Sequence, residues 1–258
     1  MYKLNGNNPY KMNKKEKWFY IFLISSTLFL LSGLLTKVYA EEENFSVPSK
    51  VSEYVYDCDK IDRVTFNVCW NYDGEVPLAG WSFILKDFKD TGNISKRPTF
   101  FKDKEVTSLL PNDYNLPFHR GHTFANDGDN DFDQVNLKRT YNMLNITPMY
   151  GVINTNQWKL VERKGRELSD INNGPKVLSI TLIKYPEESK LGFFPGTKIN
   201  YSRIPTSYIR IYYIEETQEE YCYEVKNSPV RIKNDTLSDY QIDCESIKIK
   251  DGINVDIN

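Results

Sequence analysis

Hydrophobic and polar residues alternate in several short stretches of this chain, and a period of two is typical of half-buried β-strands. Residues 64–70 alternate in this way, and a turn sequence at 71–74 separates them from a second extended run at 77–86. This order of strand, turn and strand predicts a β-hairpin. Further strands are predicted over residues 116–123, 177–185 and 204–214, and residues 221–225 and 245–250 are predicted to form an edge strand.

Residues 154–168 follow a helical pattern instead. They contain no proline and a single glycine, and Trp158 and Val161 stand at core-like spacing. Positions four apart on an α-helix advance by about 40° around its axis. We therefore expect one face of this helix to carry an amide, an indole, a carboxylate and a guanidinium, which come from Asn154, Trp158, Glu162 and Arg166.

The first forty residues differ from the rest of the chain. Lysines precede an apolar run at residues 18–35, and small residues up to Ala40 lead into three glutamates, which is the pattern of a secretory signal peptide. The alternative is an uncleaved membrane anchor through residues 18–35, since this run approaches the length that spans a bilayer. A cleaved chain would be secreted or periplasmic and have no stable membrane partner, and an anchored one would hold its domain outside the cytoplasm.

The remaining chain is predicted to hold a linker at residues 41–57, a single domain at 58–250 and a short tail at 251–258. The hydrophobic content of 40% provides enough apolar material for one sizeable domain. Within the domain, residues 87–117 are predicted to form a long connection. A short helix is predicted at 132–139, after an acidic loop that is rich in glycine and asparagine.

The four cysteines suit an exported chain, because disulfides persist outside the cytoplasm. Four cysteines allow three pairings, of which we favour the local one, Cys58–Cys69 and Cys222–Cys244. No cysteine belongs to a C-x-x-C pair, so a zinc site built from thiolates is not expected.

The charge of the chain excludes one mode of nucleic-acid binding. Residues 1–40 hold six of the 33 basic residues and one of the 35 acidic residues, so the remainder carries 27 basic and 34 acidic residues, a net charge of −7. A protein that holds nucleic acid through a broad basic surface would have the opposite sign. Any binding of phosphate must therefore be local or depend on a metal ion.

The two histidines of the chain, His119 and His122, stand together on the strand predicted at 116–123. Their odd spacing on a strand would place them on opposite faces, which argues against a shared zinc ion. A neutral histidine can act as a general base, and arginines can hold phosphate oxygens in a bidentate fork. An asparagine oxygen can bind Mg²⁺, which keeps several of its waters, and a glutamate can hydrogen-bond those waters.

Three motifs follow one another along the chain, and their order and spacing are specific when taken together. They are Arg120-Gly121-His122, then Asn145-Ile146-Thr147-Pro148, then Asn154, Trp158, Glu162 and Arg166. With them the chain resembles the DNA/RNA non-specific endonucleases of the ββα-metal, or His-Me finger, superfamily. The usual signature there is D-R-G-H, then S-N-I-x-P-Q, then N-x3-W-x3-E with an arginine four residues on. The resemblance is firm over residues 116–170 and looser over 60–225. Two residues depart from it, since His119 replaces the usual Asp and Met149 stands where Gln is common.

The resemblance implies an α+β fold with a central, mostly antiparallel sheet, flanking helices and a ββα-metal motif. It implies an endonuclease that binds DNA and RNA through backbone phosphates and leaves 5′-phosphates, and the N-terminal pattern described above predicts that this enzyme is exported. One divalent ion is implied, with Mg²⁺ favoured and Mn²⁺ or Ca²⁺ as alternatives. In the implied site, His122 is the general base, Asn154 the direct metal ligand, Glu162 a ligand through water, Arg120 and Arg166 the phosphate clamp, and Asn145 a positioning residue.

A second hypothesis belongs to a different class. A catalytically silent member of the same fold would bind nucleic acid or a protein partner without cleaving it. The acidic net charge and the histidine at position 119 are the features that favour this reading.

Overall fold

Seven strands form a central sheet in which every neighbouring pair is antiparallel. The computed structural model describes residues 48–55, 58–84, 97–125, 134–170, 176–186 and 192–247. The predicted signal peptide, the acidic loop and the tail lie outside these residues. In spatial order the strands are β1 (Asp59–Asp62), β2 (Asn67–Asn71), β3 (Val76–Ile84), β6 (Val177–Lys184), β7 (Ser207–Ile214), β8 (Glu219–Lys226) and β9 (Gln241–Ile242).

A separate two-stranded antiparallel sheet carries both histidines. It consists of β4 (Phe118–His122) and β5 (Ile146–Tyr150), and helix α2 (Gly151–Thr155) follows β5 directly and contacts both strands. Two further helices are α1 (Gln134–Thr140) and α3 (Gln157–Asp170). The expected α+β class with a central antiparallel sheet is confirmed.

The predicted hairpin is formed by β2 and β3, but it begins later than the alternation indicates. Arg63 and Phe66 exchange backbone hydrogen bonds of 2.9 and 3.1 Å in a tight turn. This turn leaves Val64 75% exposed, so its expected place on the buried face is wrong.

The C-terminal strands also differ from the prediction. Strand β8 lies inside the sheet between β7 and β9, and the short β9 forms the edge. Cys244–Ser246 form a 3₁₀ turn where a strand was expected. The two disulfides join Cys58 to Cys69 and Cys222 to Cys244, which is the local pairing that the sequence favours.

The predicted linker ends sooner than residue 57. Ser49–Glu53 form a 3₁₀ turn, and Val51 and Tyr54 are each only 1% exposed. The Tyr54 hydroxyl donates to Glu220 on β8 at 2.9 Å, and Lys50 pairs with the same carboxylate. Residues 49–55 are therefore part of the fold, and the expectation of a loose tether is wrong for them. Within the described part of the chain, no helix has the length and apolar character to cross a membrane.

The helix expected at 154–168 is broken into two. Asn156 leaves helical geometry at φ −123° and ψ −83°, so Asn154 lies on α2 while Trp158 begins the face of α3. The Asn156 side chain donates to the carbonyl of Val152 at 2.7 Å, and its own carbonyl accepts from the amide of Leu160 at 3.1 Å. Asn156 therefore satisfies the end of one helix and the start of the next.

Helix α3 packs against the central sheet at Gly165. A Cβ atom on this residue would lie 2.6 Å from Cε1 of Tyr212 and 2.7 Å from Cδ1 of Ile84. Tyr212 is fully buried, and its hydroxyl donates to the carbonyl of Val161 at 2.9 Å. The helix can lie this close to the sheet because position 165 has no side chain.

We predict that Gly165→Ala destabilises the protein. Alanine gains about 1 kcal/mol of helix propensity, but overpacking costs about 1–3 kcal/mol, and the hydrogen-bonded Tyr212 ring has little room to move. The free energy of unfolding, measured in urea, should fall by up to about 2 kcal/mol, which is the overpacking cost less the gain in helix propensity. The exposed Lys159→Ala on the same helix is the control and should change little; an unchanged or higher stability for Gly165→Ala would contradict the packing argument.

Candidate active site

The arginine, glycine and histidine of the first motif occupy the end of β4. His122 pairs with Ile146 and Gly121 with Thr147 across the small sheet. A Cβ atom at position 121 would lie 2.7 Å from Cβ of Met149, so the strands approach closely only because this residue is glycine. The motif therefore places Arg120 and His122 on either side of an obligatory close contact.

Two aromatic rings pack against the imidazole of His122. The ring of Tyr141 meets it edge-on at a centroid distance of 4.9 Å, and the ring of Phe100 lies at 5.7 Å. The Arg120 guanidinium stacks over the same Phe100 ring at 4.9 Å, and its Nη1 donates to the carbonyl of Pro111 at 3.0 Å. Phe100 thus brings the two predicted site residues into one cluster, in which His122 is half-buried and Arg120 is exposed.

The Asn145 side chain holds the turn that follows His122. Its Oδ1 accepts from the amides of Phe124 and Ala125 at 2.8 and 3.0 Å. Its Nδ2 donates to the carbonyls of Ala125 and Thr140 at 2.6 and 2.9 Å. Asn145 is fully buried, so these four bonds use the amide's hydrogen-bonding groups away from water.

A buried arginine that was not among the predicted site residues, Arg210, binds the same turn. Arg210 on β7 donates to the carbonyls of Thr123 and Phe124 at 2.7 and 3.3 Å, and to the hydroxyl of Ser179. Its guanidinium stacks on the Trp158 ring at 4.7 Å. A single arginine inside the otherwise apolar and aromatic run of β7 was the signal that could have identified it.

Trp158 connects helix α3 to the strand that carries His122. Its indole Nε1 donates to the carbonyl of His122 at 3.0 Å, and the side chain is fully buried. The tryptophan of the third motif is therefore a direct contact of the histidine's backbone. Glu162 and Arg166 lie one and two turns further along α3, and both are half-buried.

Asn154, the predicted metal ligand, lies beside His119. Nδ2 of Asn154 is 3.5 Å from Nδ1 of His119, and Asn154 is half-buried on α2. An amide that turns its nitrogen toward His119 turns its oxygen in another direction, where it can serve as a hard oxygen donor. Such a donor suits Mg²⁺ or Ca²⁺, which need few protein ligands when waters complete the shell. Across the described ranges, no three His, Cys, Asp or Glu side chains gather into a metal cluster.

Asp103 is the centre of a hydrogen-bond network next to Asn145. The guanidinium of Arg63 donates two hydrogen bonds to its carboxylate at 3.0 and 2.8 Å, and Nδ2 of Asn142 donates a third at 2.7 Å. The carbonyl oxygen of the Asn142 side chain in turn accepts from the amide of Leu144 at 3.0 Å, just before Asn145. Burial raises the pKa of Asp103, but the hydrogen bonds from Arg63 and Asn142 lower it more, so the pKa lies below its ordinary value.

Comparisons with known proteins identify the family and the fold of the chain. The family model described as DNA/RNA non-specific endonuclease matches residues 39–258, and the chain therefore belongs to that family. A search of curated proteins found no match. Among solved structures, the protein is similar to a chain in the crystal structure of the EndoG/EndoGI complex, which was solved to explain the mechanism of EndoG inhibition. The TM-score is 0.60 and the sequence identity is 17%. The match covers 78% of this chain and 89% of that one, and at this identity it shows the shared fold.

We predict that Asn145→Ala lowers the free energy of unfolding by about 2–4 kcal/mol, because it leaves buried backbone groups of the turn without partners. Asn145→Asp is the matched variant. It keeps acceptors for the two amides but cannot donate to the two carbonyls, so it should also be destabilised. Urea unfolding of both variants measures this, and wild-type stability in either would contradict the contacts described for Asn145.

We predict that Asp103 makes stability dependent on acid pH. Its pKa is lower in the folded than in the unfolded chain, so the carboxylate stabilises the fold above the unfolded value of 3.8. This contribution is lost as the pH falls through the folded pKa. Asp103→Asn should be less stable than wild type at neutral pH, and the difference should shrink below about pH 4. Unfolding curves at several pH values test this, and a difference that does not change with pH would contradict it.

Proposed function

We propose that this protein is an exported, divalent-metal-dependent endonuclease that hydrolyses DNA and RNA with His122 as its general base. The observation that carries the proposal is the way His122 is held at the end of β4. Its ring packs against two aromatic rings, its carbonyl is bound by Trp158, and Asn145 and Arg210 hold the turn that follows it. Membership of the endonuclease family supports the same reading.

The chemistry assigned to His122 is removal of a proton from water. A neutral imidazole accepts that proton while the water oxygen attacks phosphorus. The bond between phosphorus and the 3′-oxygen breaks, and the leaving oxygen takes a proton from solvent water, which leaves a 3′-hydroxyl on one fragment and a 5′-phosphate on the other. Asn145 acts here as a positioning residue, since the turn that it holds begins directly after His122.

Arg120 and Arg166 neutralise the phosphate in this proposal. Arg120 is exposed and stacked on Phe100, beside the ring of His122, so its charge lies at the entrance to the cluster. The chain outside residues 1–40 is acidic, so a few local cations must supply most of the attraction for the nucleic-acid backbone. Contacts of this kind read phosphates and not base edges, which predicts little sequence preference.

Asn154 would hold the divalent ion directly, and Glu162 would hydrogen-bond water beside it. Bound there, the ion would supply Lewis acidity that stabilises the developing charge and the leaving 3′-oxygen. Mg²⁺ is the favoured ion, because the proposed donors are oxygen atoms, with Mn²⁺ and Ca²⁺ as alternatives.

The two disulfides support export. Such bonds persist in oxidising compartments, and both of them fasten edge regions of the sheet. We place the protein outside the cytoplasm, secreted or periplasmic after cleavage, or anchored through residues 18–35. The intact mass of the exported protein distinguishes cleavage from anchoring.

The test compares wild type with His122→Ala in plasmid degradation with Mg²⁺. We expect the variant to lose about 10²–10⁴-fold in rate, which is the usual contribution of a general base. Chelation with EDTA should abolish wild-type cleavage, and added Mg²⁺ should restore it. Equal unfolding midpoints for the two proteins would show that the loss is chemical.

The catalytically silent alternative predicts a different result. In that case wild-type cleavage would be no greater than that of His122→Ala, and binding of DNA without cleavage would remain. This outcome would overturn the proposed enzyme.

A further inference from the structure

His119 is one of the two residues that depart from the family's signature, and its ring lies directly on the backbone of α2. A Cβ atom on Gly151 would be 2.6 Å from Nε2 of His119, 2.9 Å from Cδ2 and 3.0 Å from Cε1. Real Cβ atoms do not approach other atoms this closely, so the imidazole occupies the space that a side chain at position 151 would need. The imidazole ring therefore packs against the backbone of Gly151, in the space that is free because this residue has no side chain.

The imidazole that packs against Gly151 also contacts the side chain of Asn154. Positions 151 and 154 are three apart on one helix and so lie on the same side of it. With the ring against Gly151, Nδ1 of His119 comes to 3.5 Å from Nδ2 of Asn154. An amide nitrogen only donates, so Nδ1 must accept, which places the proton of the neutral ring on Nε2.

We propose that His119 is a positioning residue that sets the orientation of the Asn154 amide. By accepting from Nδ2, it turns Oδ1 away from the ring and toward the ion that Asn154 is proposed to bind. This inference rests on the proposed function, because the role of Asn154 as a metal ligand is itself part of that proposal.

The same argument explains why the departure is chemically tolerable. Nδ1 of a histidine and Oδ1 of an aspartate are both attached to Cγ and so stand two bonds from Cβ. Each can accept a hydrogen bond at that position. An aspartate at position 119 would therefore present an acceptor at the same distance from Cβ as the histidine, although their charges differ.

A rival arrangement uses the same residues. The oxygen and nitrogen of an amide are assigned from their surroundings, and with the two exchanged, Asn154 Oδ1 and His119 Nδ1 would both face one ion as direct ligands. An imidazole ligand would shift the preference of the site toward transition metals. The structure has the amide nitrogen facing the ring nitrogen, which is the orientation of the hydrogen bond, and the experiment below decides between the two arrangements.

The test measures the affinity of Mn²⁺, used as a spectroscopic probe, by calorimetry and electron paramagnetic resonance on the exported protein. The proteins compared are wild type, Asn154→Ala, His119→Ala, His119→Asn and His119→Asp. We expect His119→Ala to bind Mn²⁺ about 10–100-fold more weakly, as is usual when a residue that orients a ligand is lost. Both His119→Asn and His119→Asp should recover most of this loss, because each restores an acceptor two bonds from Cβ.

The outcomes separate this inference from the proposed function. Unchanged Mn²⁺ affinity in Asn154→Ala would overturn the metal site itself. A loss in Asn154→Ala together with wild-type affinity in His119→Ala would overturn only the role of His119. Pulsed resonance adds a third reading, since coupling to a histidine nitrogen that disappears in His119→Ala would make His119 a direct ligand and refute the positioning role.

Gly151→Ala provides an independent check that does not alter either polar side chain. It should weaken Mn²⁺ binding in the wild-type background by displacing the imidazole ring. In the His119→Ala background the added methyl group meets no ring, so it should have little effect on affinity. Equal effects in the two backgrounds would show that positions 119 and 151 are not coupled and would contradict the packing of the His119 ring against Gly151.

Discussion

The guanidinium of Arg210 lies fully buried beneath the turn after His122, where it donates to two backbone carbonyls and stacks on Trp158. Burying a cation is costly unless hydrogen bonds replace the lost water. Here the carbonyls that replace it belong to residues 123 and 124, so the need to satisfy the charge fixes the path of the chain next to the catalytic candidate. Thr181 and Ser82, also on the central sheet, donate to the same two carbonyls at 3.0 Å each, so Arg210 acts together with them in holding the turn.

The proposed site residues lie on three different elements of secondary structure. Strand β4 carries His122 and Arg120, α2 carries Asn154, and α3 carries Glu162 and Arg166. The break at Asn156 separates the proposed ligand from the face of α3, so the two parts can be oriented independently. Trp158 links them to β4 by its hydrogen bond to the carbonyl of His122.

The sequence predicted most of the strands and the motifs that meet at β4, because these depend on local periodicity and on short, ordered spacings. It did not predict the break at Asn156, since side-chain capping there outweighs a favourable helical pattern. It also missed Tyr54, because a short polar segment with two tyrosines does not reveal that one of the rings is buried and bonded to β8. Arg210 was overlooked for the opposite reason: the run around it looks like ordinary core, and only the fold shows which carbonyls lie above it.

The contact between His119 and Gly151 restricts the order in which this sequence can change. A side chain at position 151 would displace the imidazole from its observed position, whereas a glycine at 151 is also compatible with a smaller acceptor at 119. A change from aspartate to histidine at position 119 therefore gives the observed contact with Asn154 only where position 151 is already glycine. One glycine with no chemistry of its own thus limits which acceptors can lie beside Asn154.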